Sequence, residues 1–165
     1  MNTYNVDDIV MYGINGCCRV SAIEKRGSEK YYILRPVHND RTKLMVPFDN
    51  EELVSRMRHV PSKRTLKNYI KRAAEQPNTW IDDNSERKEA AKKVLSSGTE
   101  VEMLVLLRSF YLHKEAVLAA GKKATSSDNS ILKTAHEHIR DEFSVVLGID
   151  AEDIDDYIHK TVIAC

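Results

Sequence analysis

The spacing of apolar and polar positions changes once along this chain. Up to about residue 60, short runs rich in Val, Ile, Tyr and Leu follow one another: DDIVMYG, CCRVSAIEKRG, KYYILRPV and KLMVPF. Gly13, Gly16, Gly27 and the pair Asn39-Asp40 punctuate them, as turn residues do between strands. Four or five short strands so closely spaced predict a small antiparallel β-barrel. Pro61-Ser62 then ends the β half. Leu66, Tyr69, Ile70 and Ala73 follow at helical spacing behind a capping Ser62. A charged helix is predicted from Ser85 to Ser97, with a stop at Gly98. Thr99 and Glu102 form a capping box for the next helix, which carries Val101, Leu104, Val105, Arg108, Tyr111 and Leu112 and stops before Gly121. SSDNS is expected to be a loop and cap. Leu132, Ala135, Ile139, Phe143 and Val146 mark a further helix ending at Gly148, and Asp150 is expected to cap a last short one through Ile154 and Tyr157. The fold class expected is α+β with two domains: a β-barrel over 1–60 and a compact all-α helical bundle over 61–165.

Composition narrows the class. Of the 165 residues 42% are hydrophobic, enough for packed cores, and 30% are charged, as on a soluble surface. No apolar run approaches the about 18 residues a membrane span needs, and MNTYNVDDIV is not a secretory leader, so a cytoplasmic protein is expected. Three cysteines, with Cys17 and Cys18 adjacent and Cys165 last, do not make a disulfide framework. Adjacent positions on a strand point to opposite faces, so one of Cys17 and Cys18 is expected buried and the other exposed.

The formal net charge of zero argues against a general polyanion binder, yet the charge is unevenly spread. Residues 1–70 hold 12 Lys/Arg and 8 Asp/Glu, and residues 71–165 hold 13 and 17. Seven acids and no Lys or Arg fall within 141–156. A basic face remains available elsewhere: Lys63, Arg64, Lys67, Lys71 and Arg72 stud the first helix, and Arg87, Lys88, Lys92 and Lys93 recur on the second.

Catalytic chemistry is not visible. There is no phosphate loop, GxSxG, HExxH or paired-cysteine motif, and neither an enzyme nor a cofactor is expected. His136 and His138 are two apart on a predicted helix and diverge by about 200°, so they cannot share a metal ion; a solvated face is the reading adopted. The single tryptophan is more informative. Trp80 stands in EQPNTWIDDNSER among Asn78, Thr79, Asp82, Asp83 and Asn84. The residues leave two readings open: an indole closing a loop onto the bundle, or one offered beside a basic face to stack on or wedge between bases.

These stretches, taken in order, resemble the CarD/CdnL family of bacterial RNA polymerase-binding transcription regulators, whose N-terminal module is shared with the transcription-repair coupling factor. DDIVMYGINGCCRVSAIEK, YYILRP and KLMVPFDN carry the N-terminal resemblance; TWIDDNSERKEAAKKVLSSG, LLRSFYLHKE, GKK, Asp128 and DEFSVVLGI ending in DYI carry the rest. The resemblance implies a Tudor/SH3-like barrel that grips the polymerase β subunit, with Lys25, Arg26, Lys43, Met45 and Pro47 on the contacting surface. Met45 stands where the family has a basic residue, and Lys43, two positions upstream, offers a substitute. The resemblance also implies a helical domain that contacts promoter DNA without sequence specificity at the upstream edge of the melted region. Trp80 would wedge into the minor groove, assisted by Arg87, Lys88, Lys92 and Lys93. Asp82 and Asp83 stand where the family has a basic cluster. One monomer on each polymerase, with no membrane partner, is expected. The competing reading is a protein-interaction adaptor, whose helical domain binds another protein and uses Trp80 as an anchor.

Overall fold

The computed structural model describes residues 3–164; Cys165 lies outside them. Two units separate, one over residues 1–60 and one over 61–165. The first is an antiparallel sheet of β1 (Ile9–Tyr12), β2 (Cys17–Arg26), β3 (Glu29–Pro36), β4 (Leu44–Pro47) and β5 (Met57–His59), in the order β4-β3-β2-β1-β5. Gly27 turns β2 into β3 with φ of 63°, a conformation open to glycine. A short helix, α1 (Glu51–Ser55), precedes β5 and is capped by Asn50, whose side chain accepts from the Leu53 amide at 3.0 Å. Neither α1 nor β5 has an apolar run long enough to announce itself in sequence. Val10, Cys18, Val20, Leu34, Val46 and Met57 form the core of this unit with Tyr4, which donates its hydroxyl to the Met57 carbonyl at 2.7 Å.

Both Cys17 and Cys18 are buried, at 0% exposure each, against the expectation of one exposed. Alternation does hold. Cys18 joins the Val10–Val20 core, and Cys17 points to the other face. That face has its own cover at this point: Cys17 pairs in register with Met11, also buried, with Sγ 3.1 Å from the Met11 Sδ.

The second unit contains α2 (Lys63–Glu75), α3 (Asn84–Ser97), α4 (Glu100–Ala119), α5 (Ser126–Leu147) and α6 (Ala151–Ile158), which runs into a π-helical turn at His159–Ile163. α4 packs against α2, α3 and α5 and buries Met103, Leu104, Leu107 and Phe110, so it is the axis of the unit. The capping box at Thr99 and Glu102 is present, and Ser62 accepts from the Thr65 amide. Gly148 closes α5 in the left-handed conformation, φ 65°.

Three sequence expectations are corrected. SSDNS is not a loop: Thr125 is the cap, its hydroxyl accepting from the Asp128 amide, and the five polar residues form the opening of α5. Asp150 occupies the cap position of α6 but its side chain makes no capping bond. His138 is 9% exposed rather than solvated, because it shares a stripe with Ile131, Ala135 and Glu142, all buried. His136 points elsewhere and lies 3.3 Å from Asp155. Among the described residues no helix is long and apolar enough to cross a membrane.

Candidate functional site

The segment between α2 and α3 carries Trp80, and two buried arginines hold it from opposite ends. Arg108 of α4 is 4% exposed. It donates Nη1 to the Ala73 carbonyl at 2.7 Å, Nη2 to the Gln76 carbonyl at 2.5 Å and Nε to the Asn78 Oδ1 at 2.6 Å. The Ala73 carbonyl also accepts from the Gln76 amide at 3.1 Å, so this guanidinium reinforces the end of α2 and ties the following loop to the unit's axis. Ser109 accepts from the Thr79 amide at 3.4 Å. Arg108 stands among apolar neighbours on its helix face, and a cation there is the signal that could have predicted such a role.

Arg87, one turn into α3, holds the far end. Its Nη1 donates to the carbonyls of Ile81 and Asp82, at 2.8 and 3.0 Å, and its Nη2 to the Asn84 Oδ1. Nε and Nη2 grip the two Asp128 oxygens at 2.9 Å each, the bidentate geometry that favours Arg over Lys. At 6% exposure Arg87 is therefore no member of the solvent-facing basic set expected from sequence. Its donors are consumed inside the unit.

Trp80 sits between these anchors, half-buried against the helical core. His113 stacks on its ring at a centroid distance of 3.5 Å and 12° between planes, which closes one face of the indole. Phe110 meets it edge-on at 5.1 Å, and the Arg87 Cζ lies 4.6 Å from the ring centroid. Beside it is an apolar hollow of about 270 Å³, lined by Pro77, Ile81, Val94 and Val105 among others. The polar neighbours that made Trp80 conspicuous in sequence have local duties. Asp83 caps α3 by accepting from the Glu86 amide at 2.8 Å, and Asn78 and Asn84 serve the two arginines. Lys88, Lys92 and Lys93 are exposed on α3, with Lys88 and Lys92 one turn apart and Glu86 and Glu89 interspersed.

The sheet gathers most of the other predicted residues. Val20 pairs with Leu34 but Ala22 pairs with Ile33, so a bulge at Ser21 changes which side chains face which way. Beyond it, Glu24 lies across from Tyr31 and Arg26 from Glu29, while Tyr31 and Ile33 pair in turn with Pro47 and Met45. Cross-strand partners share a face. Arg26, Met45 and Pro47 therefore stand on one face with Glu24, whose carboxylate accepts from Arg26 at 3.1 Å and from Lys43 at 3.2 Å. These bonds, from Lys43 first and then Arg26, hold the Glu24 carboxyl below its ordinary value. Tyr31 donates to Glu29, which raises the phenol. Lys25 pairs with Lys30 on the opposite face and does not join this group.

Residues 4–59 match the family model described as CarD-like/TRCF RID domain. No curated protein matches the chain. The matched span is the five-stranded unit almost from end to end, and the family is one of RNA polymerase-interacting transcription factors. Over this module, residues 4–59, the chain is similar to the CarD-like/TRCF RID domain family.

Proposed function

We propose that the chain is a transcription regulator that binds the polymerase β subunit through Arg26, Lys43, Met45 and Pro47 and contacts promoter DNA through Trp80, Lys88, Lys92 and Lys93. The core enclosed by Val10, Val20, Leu34 and Val46 is what a Tudor/SH3-like barrel would surround. The observation that carries the DNA half is the Trp80 loop, fixed by Arg108 at one end and Arg87 at the other. A preorganised indole loses little freedom on binding. With His113 on one face, Trp80 offers its outer edge to a base step. Wedging there costs a few kcal/mol of unstacking, recovered from contacts to the distorted duplex. A ligand that favours the open over the closed complex by about 1.4 kcal/mol shifts their ratio roughly tenfold, and no chemical step is needed. Such a factor helps promoters limited by melting and hinders those limited by escape.

A fluorescent base in the melted region reads this directly. Wild-type protein is expected to prolong the open complex formed by purified polymerase, and Trp80→Ala to lose the effect while still binding polymerase. Equal action by both proteins would remove Trp80 from the DNA. The apolar hollow beside Trp80 favours the adaptor as a second reading, because interface anchors seat in such places. Binding that is insensitive to salt and confined to protein would select it; a steep fall with salt marks phosphate contacts.

A further inference from the structure

The strongest positive patch of the helical unit is not on α3. Along Lys63–Glu75, α2 carries Lys63, Arg64, Lys67, Lys71 and Arg72 against one acid, Glu75. All five cations are exposed, and none makes an ion pair or side-chain hydrogen bond with a described residue. The exposed charges of α3 are more balanced, with Lys88, Lys92 and Lys93 against Glu86 and Glu89. At 3.6 residues per turn, Lys63, Arg64, Lys67 and Lys71 fall within an arc of about 100°, while Leu66 and Ala73 face the core.

Local energetics do not account for this stripe. Lys63 and Arg64 stand in the first turn, where the helix dipole disfavours cations. α3, α4, α5 and α6 each place an acid in that turn, and α2 places none. Thr65 and Asn68 line a shallow hollow with Tyr69, Lys71, Arg72 and Glu75 on the same helix, adding the hydroxyl and amide groups that accompany Lys and Arg at sugar and phosphate. The arc from Lys63 to Arg64 that holds the lysines carries no aromatic side chain, Tyr69 in the hollow packs against the helical core, and lysine is depleted from protein–protein interfaces. The chemistry suits a nucleic-acid backbone better than a protein surface.

We propose that α2 is a second phosphate-contacting surface, which lies along the backbone of duplex DNA and reads no bases. This rests on the helical unit being the DNA-contacting part of the chain. The test is fluorescence anisotropy of the full chain with a short fluorescein-labelled duplex of arbitrary sequence, over a series of salt concentrations. Each lost phosphate contact lowers the slope of log K against log salt by about 0.9. The triple variant Lys63→Gln/Lys67→Gln/Lys71→Gln should therefore lower it by about 2 to 3. The matching Lys→Arg triple should keep the wild-type slope, and Trp80→Ala should weaken binding with the slope unchanged. Melting curves of each variant confirm that it is folded. Wild-type slope and affinity in the folded Gln triple would overturn the α2 surface; loss of an acidic protein partner by that same variant would make it a protein dock. If Trp80→Ala weakens binding and the Gln triple does not, only the α2 proposal fails. If the wild type binds no duplex, both it and the DNA reading fail.

Discussion

At the scale of single residues, the position of Trp80 is decided by side chains distant in sequence. Arg87 and Asp128 are 41 residues apart and both nearly inaccessible, and the same guanidinium carries the Ile81 and Asp82 carbonyls. Removing one member of such a pair leaves a buried charge uncompensated, which typically destabilises by about 3–5 kcal/mol. Asp128→Ala is expected to lose stability on that scale in urea titrations and to shift Trp80 emission to longer wavelength before global unfolding, as the loop loosens. Because Trp80 is the only tryptophan, that emission reports the loop alone. An unmoved spectrum would mean that Arg108 suffices to hold it. This is also where sequence reading reached its limit. A helical wheel sets Arg87 between Val94 and Ala91, apart from Lys88, Lys92 and Lys93, but it does not show the partner that uses Arg87 there, Asp128 arriving from α5. Trp80 itself was legible as unusual, because its polar neighbours are turn and cap formers.

Among the elements, the helices were the most legible part of the fold. Ser62, Thr99 and Gly148 act where capping chemistry puts them, and the boundaries of α2, α3 and α4 fall within a residue or two of expectation. α5 started earlier than expected because Ser, Asp and Asn suit the first turn of a helix as well as a loop. The sheet face was less legible, since strand alternation was interrupted without a glycine to mark the place. Its Glu24 clip carries a pH signature. The carboxyl is held below its ordinary value of 4.5 by Lys43 and Arg26. The pairing is therefore complete above the ordinary value and lost as pH falls through the lowered one. An NMR titration of the Glu24 side-chain carbon should give a midpoint under 4.5, and Lys43→Met should move it back up. A wild-type midpoint at or above 4.5 would show that the clip does not persist in solution.

For the whole molecule, the proposed function, a polymerase-binding module joined to a DNA-contacting unit, has effective concentration as its consequence. Once one unit is bound, the other searches a small volume, so two modest contacts act as one strong one. Arg26→Glu is expected to weaken binding to an isolated β-lobe fragment and, with polymerase present, to reduce promoter occupancy. Binding of the same variant to bare duplex should be unchanged. Unaltered capture by the β-lobe fragment in a pull-down would take Arg26 out of the contact. The uneven charge has a part in this arrangement. Seven acids within 141–156 bring the helical unit close to neutrality while α2 itself stays positive, so the proposed phosphate contact falls to α2 and not to the net charge of the unit.

The bulge at Ser21 makes β2 a ribbon of two phases. Before it the even-numbered side chains, Cys18 and Val20, look into the core; after it the odd-numbered ones, Ile23 and Lys25, take that side. One residue thus acts as a half-turn in the strand's bookkeeping of inside and outside. Excising Ser21 would restore a single phase and leave every pair in place, with Ala22 still opposite Ile33, Ile23 still on the Tyr32 side, and Glu24 and Arg26 still on the other face. Flattening the bulge with Ser21 kept in the ladder would do the reverse: Glu24 and Arg26 would turn to the side of Val20, and the proposed polymerase-binding face would be exchanged for its reverse side with no side chain lost.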